Sequence, residues 1–523
     1  MAASRPLTAE NDYNPSTGAP GFRSDSAMDI QMTATSAEQR PIRFIHRGKV
    51  VSEMRAPADR TLLDYVRENL GQTGTKEGCA EGDCGTCTVV LAELDEEKDG
   101  LRWRAINSCL RFVSSIDGLA LFTVEDLRDE TGGLHPVQQA IADCHGIQCG
   151  FCTPGFVMSM FALYQAVVAP GGSSAVITRE KAQESLSGNL CRCTGYRPLI
   201  EAAQKLAAYP VRRIDEAKLM EQLRSIQPTR AAELLGALRP STLPELLALR
   251  KMHPEATVIA GCTDIGIGVT KKHQQYARTL DVTAVPVLSK LTETAEHLEI
   301  GAAARLQEAF ALLERQWPQL HQWCARFASV PIRNSATLGG NIVNASPLGD
   351  SMALLIALGA TVTLQSAGGS RSMPLEDFYT GTKQVALGAD EIMTLIRVPK
   401  AQPGERVAAY KISKRFDQDI SAVCLALRLG FDGGIVRSAR IGASSITGRP
   451  SRARRTEAIL TGQAWDENTI DNAIDTIRQE FEPTTGVRAS AAYRRQVTGN
   501  LLRRFWLESQ AQPVLANLEG GWQ

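Results

Sequence analysis

The sequence predicts a multidomain α+β protein in which a small β-grasp domain and a helical bundle precede a larger α+β region. Three observations carry this reading. Residues 41–122 run hairpin, helix, cysteine-rich loop and strand; residues 123–209 change to helical periodicity; and mixed strands and helices return from about 238. At 523 residues the chain has room for three or four domains.

In the first domain, residues 41–55 (PIRFIHRGKVVSEMR) partly alternate around Arg47-Gly48-Lys49, a hairpin pattern. Residues 60–67 follow with apolar positions at helical spacing and Thr61 placed to cap them. A glycine- and cysteine-rich loop spans 71–85, and Thr86–Leu91 alternates into a strand. In the second domain, 137–141, 155–164 and 197–208 read as helices, with a Gly-Gly-Ser-Ser loop at 171–174. The charged stretch 210–237 reads as a linker. Beyond it, Leu243–Arg250 is helical and Thr257–Ala260 is a short strand entering a glycine turn. Val407–Ile412 and Val423–Leu429 suggest a final antiparallel domain.

Composition excludes several classes. There are 57 basic and 57 acidic residues, so no electrostatic footprint for nucleic acid exists. No apolar run approaches the ~20 residues of a membrane span, so no membrane partner is expected. The first forty residues are rich in Ser, Thr, Ala and Pro, lack the apolar core of a secretory signal and carry acidic residues. They are read as a disordered tail on a cytoplasmic protein.

Nine of the twelve cysteines lie between residues 79 and 193. In a large chain with no export signal, metal or cluster ligation is a better default than disulfides. Cys79, Cys84 and Cys87 form C-x4-C-x2-C with Cys109 further on, the plant-type [2Fe–2S] spacing. Four thiolates must converge on two irons, and Gly78, Gly82 and Gly85 permit a loop that wraps the sulfides closely. A zinc knuckle would pair C-x2-C with a second such pair or with histidines, which this loop lacks.

Cys149 and Cys152 form C-x2-C, and Cys191 and Cys193 form C-x-C. On spacing alone these two pairs could close on zinc or on a second [2Fe–2S] cluster. Cys144, Cys324 and Cys424 read as small buried hydrophobes. The surroundings are more specific. Gln148-Cys149-Gly150-Phe151-Cys152-Thr153-Pro154-Gly155 and Gly188-Asn189-Leu190-Cys191-Arg192-Cys193-Thr194-Gly195-Tyr196 resemble the paired signatures of the molybdenum hydroxylase family. The resemblance implies that Cys149, Cys152, Cys191 and Cys193 hold the cluster nearer the molybdenum cofactor. Cys79, Cys84, Cys87 and Cys109 then hold the other.

No G-x-G-x-x-G follows a strand, so a Rossmann site is not supported. Two other glycine segments stand out: Val258-Ile259-Ala260-Gly261-Cys262-Thr263-Asp264-Ile265 and Thr337-Leu338-Gly339-Gly340-Asn341. Each offers backbone N–H groups beside small side chains, as a pyrophosphate requires, and each could equally be an ordinary turn. The family resemblance implies that both bind FAD, together with Phe327, Asp350, Met393 and Lys411. Cys262 stands where relatives carry a small or amide residue. Gly381-Thr382-Lys383 stands where they often show Gly-Tyr-Arg, and Arg415–Asp419 where they carry a charged loop near the flavin.

The resemblance covers about residues 41–500 and fills in the architecture. It implies a β-grasp [2Fe–2S] ferredoxin domain (41–122), a helical [2Fe–2S]-binding bundle (123–209) and a linker (210–237). An α+β FAD-binding domain of the non-Rossmann, vanillyl-alcohol-oxidase-like type (238–402) and a CO-dehydrogenase-flavoprotein-like α+β domain (403–523) follow. The domain order is similar to that of purine-oxidising members. It implies a molybdopterin-binding large subunit as partner, in a two-plus-two heterotetramer, with the molybdenum cofactor on that partner and NAD as final acceptor. No acid–base catalytic residue is expected on this chain. The rival readings are another substrate of the same class (an aldehyde or N-heterocycle), a stand-alone flavin–ferredoxin carrier, and a zinc-stabilised scaffold.

Overall fold

A computed structural model describes residues 38–510 apart from 96–97, 130 and 229–230. The expected tail therefore lies largely outside the described residues. Its last part, Glu38–Gln39, is a short strand paired in parallel with Ala232–Leu234.

The first domain is a five-stranded sheet in the order Lys49–Glu53, Ile42–His46, Ala120–Phe122, Thr88–Asp95, Gly100–Asn107. Arg47 and Gly48 both take positive φ, which lets a two-residue turn close the first hairpin in register His46↔Lys49. Leu62 and Leu63 begin a helix whose first turn Thr61 caps by accepting the Asp64 amide at 3.1 Å. The turn continues as a π-helix over Tyr65–Asn69. Phe44, Leu62, Tyr65, Val66 and Val89 form the core beneath it.

Helices Pro136–Asp143, Thr153–Gly171, Arg179–Leu186 and Arg197–Gln204 form the second domain. The helix from Thr153 is long and apolar enough to cross a membrane by length and composition, although the sequence shows no continuous apolar run of that size. Two-thirds of its window is buried, 67%, and Phe156, Met160, Phe161 and Tyr164 face the bundle core. That marks it as a central core helix. It runs to Gly171, and residues 172–174 add a single 3-10 turn where a plain loop was expected. Cys144 caps the first of these helices and is half-buried at the edge of the bundle core rather than fully buried within it.

The stretch expected to be a linker is largely ordered. Asp215 caps a helix over Glu216–Ile226, and Leu219, Leu223 and Ile226 pack on Ile45, Ala92 and Ala120 of the first sheet. Each such burial contributes about 1.5–3 kcal/mol. A stripe of three apolar residues among charges looks weak in sequence but suffices against a ready-made sheet. Ala232–Leu234 and Ala237–Arg239 then form a tight hairpin through Leu235 and Gly236, both at positive φ. Its second strand pairs with Thr279–Asp281, which in turn pairs with Thr257–Ile259.

The rest of the large domain is an antiparallel sheet in the order Leu291–Glu293, His297–Gly301, Ile392–Pro399, Thr361–Ser366, Gly369–Pro374. A fully buried helix, Asp350–Leu358, joins it to the C-terminal sheet Glu405–Ile412, Val423–Asp432, Ile435–Ser444, Ser451–Arg452. A Cβ at Gly442 would stand 2.0 Å from the Ala353 carbonyl oxygen, so that glycine sets how closely helix and sheet approach. Helices Glu467–Glu480 and Ala491–Ser509 cover the outer face. Cys324 and Cys424 are core residues as expected.

Candidate functional site

The first cysteine loop closes between the π-helix and strand Thr88–Asp95. Ala80, Gly82 and Gly85 take positive φ, which turns the backbone amides inward. The amides of Glu81, Asp83 and Cys84 donate to the Cys79 sulfur at 3.4, 3.3 and 3.3 Å. Asn107 reaches the Cys87 sulfur at 3.8 Å. Thiols meet in twos. The hydrogen bond from Cys79 pulls Cys84 down to about 5, and the same bond pushes Cys79 well up. Cys109 likewise lowers Cys87 and is itself raised.

The second set joins the start of helix Thr153–Gly171 to the loop before Arg197. Gly150, Gly195 and Tyr196 at positive φ fold both turns. Burial first, then a hydrogen bond to Cys191, pushes Cys152 up to about 12. Burial opposes ionisation of Cys191, but the Thr194 hydroxyl (3.1 Å) and amide (3.3 Å) at its sulfur hold it below the ordinary thiol range. A hydrogen bond with Cys149 raises Cys193, and both of these thiols are exposed.

Among the described residues no three Cys, His, Asp or Glu converge as one metal ion would require. The thiols are grouped as Cys79 with Cys84, Cys87 with Cys109, Cys152 with Cys191 and Cys149 with Cys193. Two thiolates per iron is the arrangement a binuclear cluster takes.

The two sets touch. The Leu190 amide donates to the Cys84 carbonyl at 2.9 Å, and the Asn189 side chain donates to the Gly85 carbonyl at 3.1 Å. A Cβ on Gly85 would stand 2.0 Å from the Gly188 oxygen, and one on Gly155 2.2 Å from the Gly85 oxygen. Only glycines allow the loops to lie backbone against backbone.

Two adjoining cavities in the large domain, of about 260 and about 380 Å³, share Thr263, Asp264, Ala336, Asn341 and Asn344 as walls. They form one long cleft. Val258, Ala260, Gly261, Cys262, Thr263, Asp264, Ile265, Thr337, Gly339, Gly340, Asn341 and Met393 line the inner part. Phe327, Asp350 and Lys411 line the outer part, beside Glu81, Gly82 and Asp83 of the first cysteine loop. Ile259 and Leu338 do not reach the cleft, since both are buried in neighbouring cores. Val282, Ala302 and Leu387 also form walls. They carry no glycine or charge signal, so sequence patterning passed over them.

The two glycine segments have different roles. None of the described residues accepts a hydrogen bond from the amides of Gly261, Cys262, Thr263 or Asp264. Cys262 is held at φ +60°, followed by Asp264 in the right-handed region, and the turn opens helix Ile265–Lys272. Four unclaimed amides at a helix start are what a pyrophosphate needs. The expectation that Thr337–Asn341 supplies amides is not met. Leu338 and Gly339 donate to the Ala304 and Ala302 carbonyls, Thr337 caps Gly340, and Asn341 donates back to Thr337. Its glycines serve close packing: a Cβ on Gly339 would lie 2.5 Å from the Ala302 oxygen. At the outer end the Lys411 ammonium is buried against Asp350 at 2.6 Å and Ser421 at 3.0 Å, and Asp350 Oδ1 is buried without a partner. Open amides and an orphan carboxylate oxygen fit a long polar ligand such as FAD.

The helix from Ile265 also meets the first cysteine loop. Thr270 donates to the Ala80 carbonyl at 2.6 Å, and Gly266 packs on the Leu110 backbone, where a Cβ would stand 2.5 Å from its oxygen.

Comparison with known families matches four domains in order. They are a 2Fe-2S iron-sulfur cluster binding domain (46–114), a [2Fe-2S] binding domain (123–204), the FAD binding domain in molybdopterin dehydrogenase (231–401) and the CO dehydrogenase flavoprotein C-terminal domain (408–509). Together they define the iron–sulfur and flavin portion of a molybdenum hydroxylase. Among individual relatives, the chain is 30% identical over 527 residues to xanthine dehydrogenase of Drosophila pseudoobscura pseudoobscura, covering 89% of this chain and 39% of that one. It is 31% identical over 526 residues to xanthine dehydrogenase 2 of Arabidopsis thaliana, covering 86% and 38%. The chain thus spans about two-fifths of the length of these relatives. Solved structures that resemble it include carbon monoxide dehydrogenase from Hydrogenophaga pseudoflava (TM-score 0.49, 26% identity, 53% of this chain, 96% of that chain). Quinoline 2-oxidoreductase from Pseudomonas putida 86 is another (0.48, 25%, 52%, 95%).

Proposed function

We propose that this chain is the electron-transfer subunit of a xanthine dehydrogenase. It would work beside a molybdopterin-binding large subunit in a two-plus-two cytoplasmic assembly that oxidises hypoxanthine and xanthine to urate with NAD as acceptor. The observation that carries the reading is one unbroken line of contact. The second cysteine set touches the first through Leu190 and Cys84, and the first set's loop walls the cleft with Glu81, Gly82 and Asp83 and bonds the helix that opens there through Ala80 and Thr270. The relatives named above point to purines as substrate.

In this reading Cys149, Cys152, Cys191 and Cys193 hold one [2Fe–2S] cluster and Cys79, Cys84, Cys87 and Cys109 the other, with FAD along the cleft. When bound, the clusters relay single electrons and FAD supplies two-electron exchange with NAD. The chain's own residues fix positions and surroundings. Amides at the Cys79 sulfur and the Thr194 hydroxyl at Cys191 stabilise negative charge there, and such hydrogen bonds tune potentials. The amides of 261–264 would take the pyrophosphate, and Phe327 would give an apolar wall at the ring end. Around exposed Cys149 and Cys193 stand exposed Ile147, Phe151, Leu190 and Tyr196. An apolar rim at an exposed redox site suits the docking of the large subunit.

Co-production with the candidate molybdenum subunit and assay of xanthine-dependent NADH formation tests this. Activity lost on omitting this chain supports the reading. A loaded complex that turns over only an aldehyde or another N-heterocycle keeps the electron-transfer role and removes the purine assignment.

A further inference from the structure

We infer that Gln418, on the flavin-domain side, is a positioning residue that clamps the two cysteine loops against each other; this rests on the electron-transfer reading above. Gln418 lies in the loop between strands Glu405–Ile412 and Val423–Asp432. In the amide orientation that satisfies both neighbours, its nitrogen donates to the Asp83 carbonyl at 3.0 Å and its oxygen accepts from the Gly188 amide at 2.5 Å. Asp83 precedes Cys84 directly, and Gly188 lies three residues before Cys191. One side chain from the C-terminal domain therefore joins the two loops beside the Leu190–Cys84 hydrogen bond.

The loop is built to present this side chain. Gln418 is held at φ +51°, in the left-handed region. Asp419 accepts the Arg415 and Ile420 amides at 2.9 and 3.0 Å, and Arg415 donates back to the Gln418 carbonyl at 3.0 Å. Arg326 anchors the loop from below, donating to the Phe416 carbonyl at 2.9 Å with its guanidinium 4.5 Å from the ring centre. The target is equally constrained. Gly188 sits at φ +118°, and a Cβ there would meet Ser329 at 2.7 Å and Pro331 at 3.0 Å. The junction thus offers one carbonyl and one amide, and a primary amide side chain is the group that answers both. Glutamate can only accept, and asparagine is one methylene short.

The test uses the full-length, cofactor-loaded protein and its Gln418→Asn and Gln418→Glu variants. Asparagine tolerates the left-handed conformation, so the first variant removes reach without adding backbone strain. Hydrogen–deuterium exchange of a peptide covering 186–190 reads the Gly188 amide. Electron paramagnetic resonance of the reduced protein reads magnetic coupling between the clusters. Gln418→Asn should speed Gly188 exchange about fivefold, the loss of one hydrogen bond, and change the coupling with iron and flavin content unaltered. Gln418→Glu should keep Gly188 protected and change the coupling less. Unchanged exchange and coupling in Gln418→Asn, with both clusters present, overturns the clamp. Absence of two cluster signals in the unsubstituted protein instead overturns the electron-transfer reading on which it rests.

Discussion

Replacing Lys411 by methionine tests how the outer end of the cleft is held. The Lys411 ammonium and the Asp350 carboxylate are 2.6 Å apart, and each side chain is only 4% exposed. Lys411 and Ser421 both bond Asp350 Oδ2 and Oδ1 has no partner, so without the lysine only the Ser421 hydroxyl at 2.8 Å would offset a buried charge. Breaking one side of such a pair costs about 3–5 kcal/mol, whereas removing both sides is close to neutral. For a unit of this size, where 1 kcal/mol moves the midpoint by about 2–4 °C, the thermal transition should fall by about 10 °C. The assay is calorimetry of the flavin-free and flavin-loaded protein, comparing Lys411→Met with Lys411→Met/Asp350→Asn. The double variant should recover most of the loss. A single variant within about 2 °C of the parent, or a double variant worse than the single, would refute the buried-pair argument.

Three further outcomes are expected. Cys152→Ser should abolish one of two [2Fe–2S] resonance signals and leave the other, and survival of both removes the second ligand set. Gly85→Ala should disturb both sites at once, because its Cβ would stand 2.0 Å from the Gly188 oxygen at a backbone φ of +67°; a mixed iron-poor product with a shifted Cys152-dependent signal is the readout. Burial, and then the Arg212 charge, hold His135 down to about 4, below the unfolded value of about 6.5. A depressed value means its stabilising contribution is complete above about pH 6.5 and is lost as pH falls through about 4. His135→Asn keeps the capping acceptor and should flatten the acid-side loss of ellipticity of the helical domain. An unchanged acid transition would show that His135 does not govern it.

Much of this was legible because cluster and flavin chemistry leave local marks. The cysteine spacings and the glycines between them encode loops that fold almost independently of the rest. The hairpin at Arg47-Gly48 and the strands 407–412 and 423–429 were equally local. What the sequence hid was tertiary. Helix Glu216–Ile226 looked like a charged linker because its three buried apolar residues, Leu219, Leu223 and Ile226, matter only against the first sheet. The Thr337–Asn341 turn resembled the 258–265 turn, yet its amides are spent on Ala302 and Ala304, partners that no pattern within the segment reveals. Cys144 looked like full core but, at a helix C-terminus, is only half-buried against the edge of the bundle core. Wall residues such as Val282 and Leu387 had no signal because any apolar side chain would serve.

The central claim is that eight cysteines and one cleft hold two clusters and one flavin in line. Its most direct test is iron, sulfide and flavin analysis of the purified chain, with electron paramagnetic resonance after reduction. The account predicts two distinct [2Fe–2S] signals, two irons per cluster, and one FAD for each chain. A colourless, zinc-containing protein, or one with a single cluster signal at full iron loading, would contradict it.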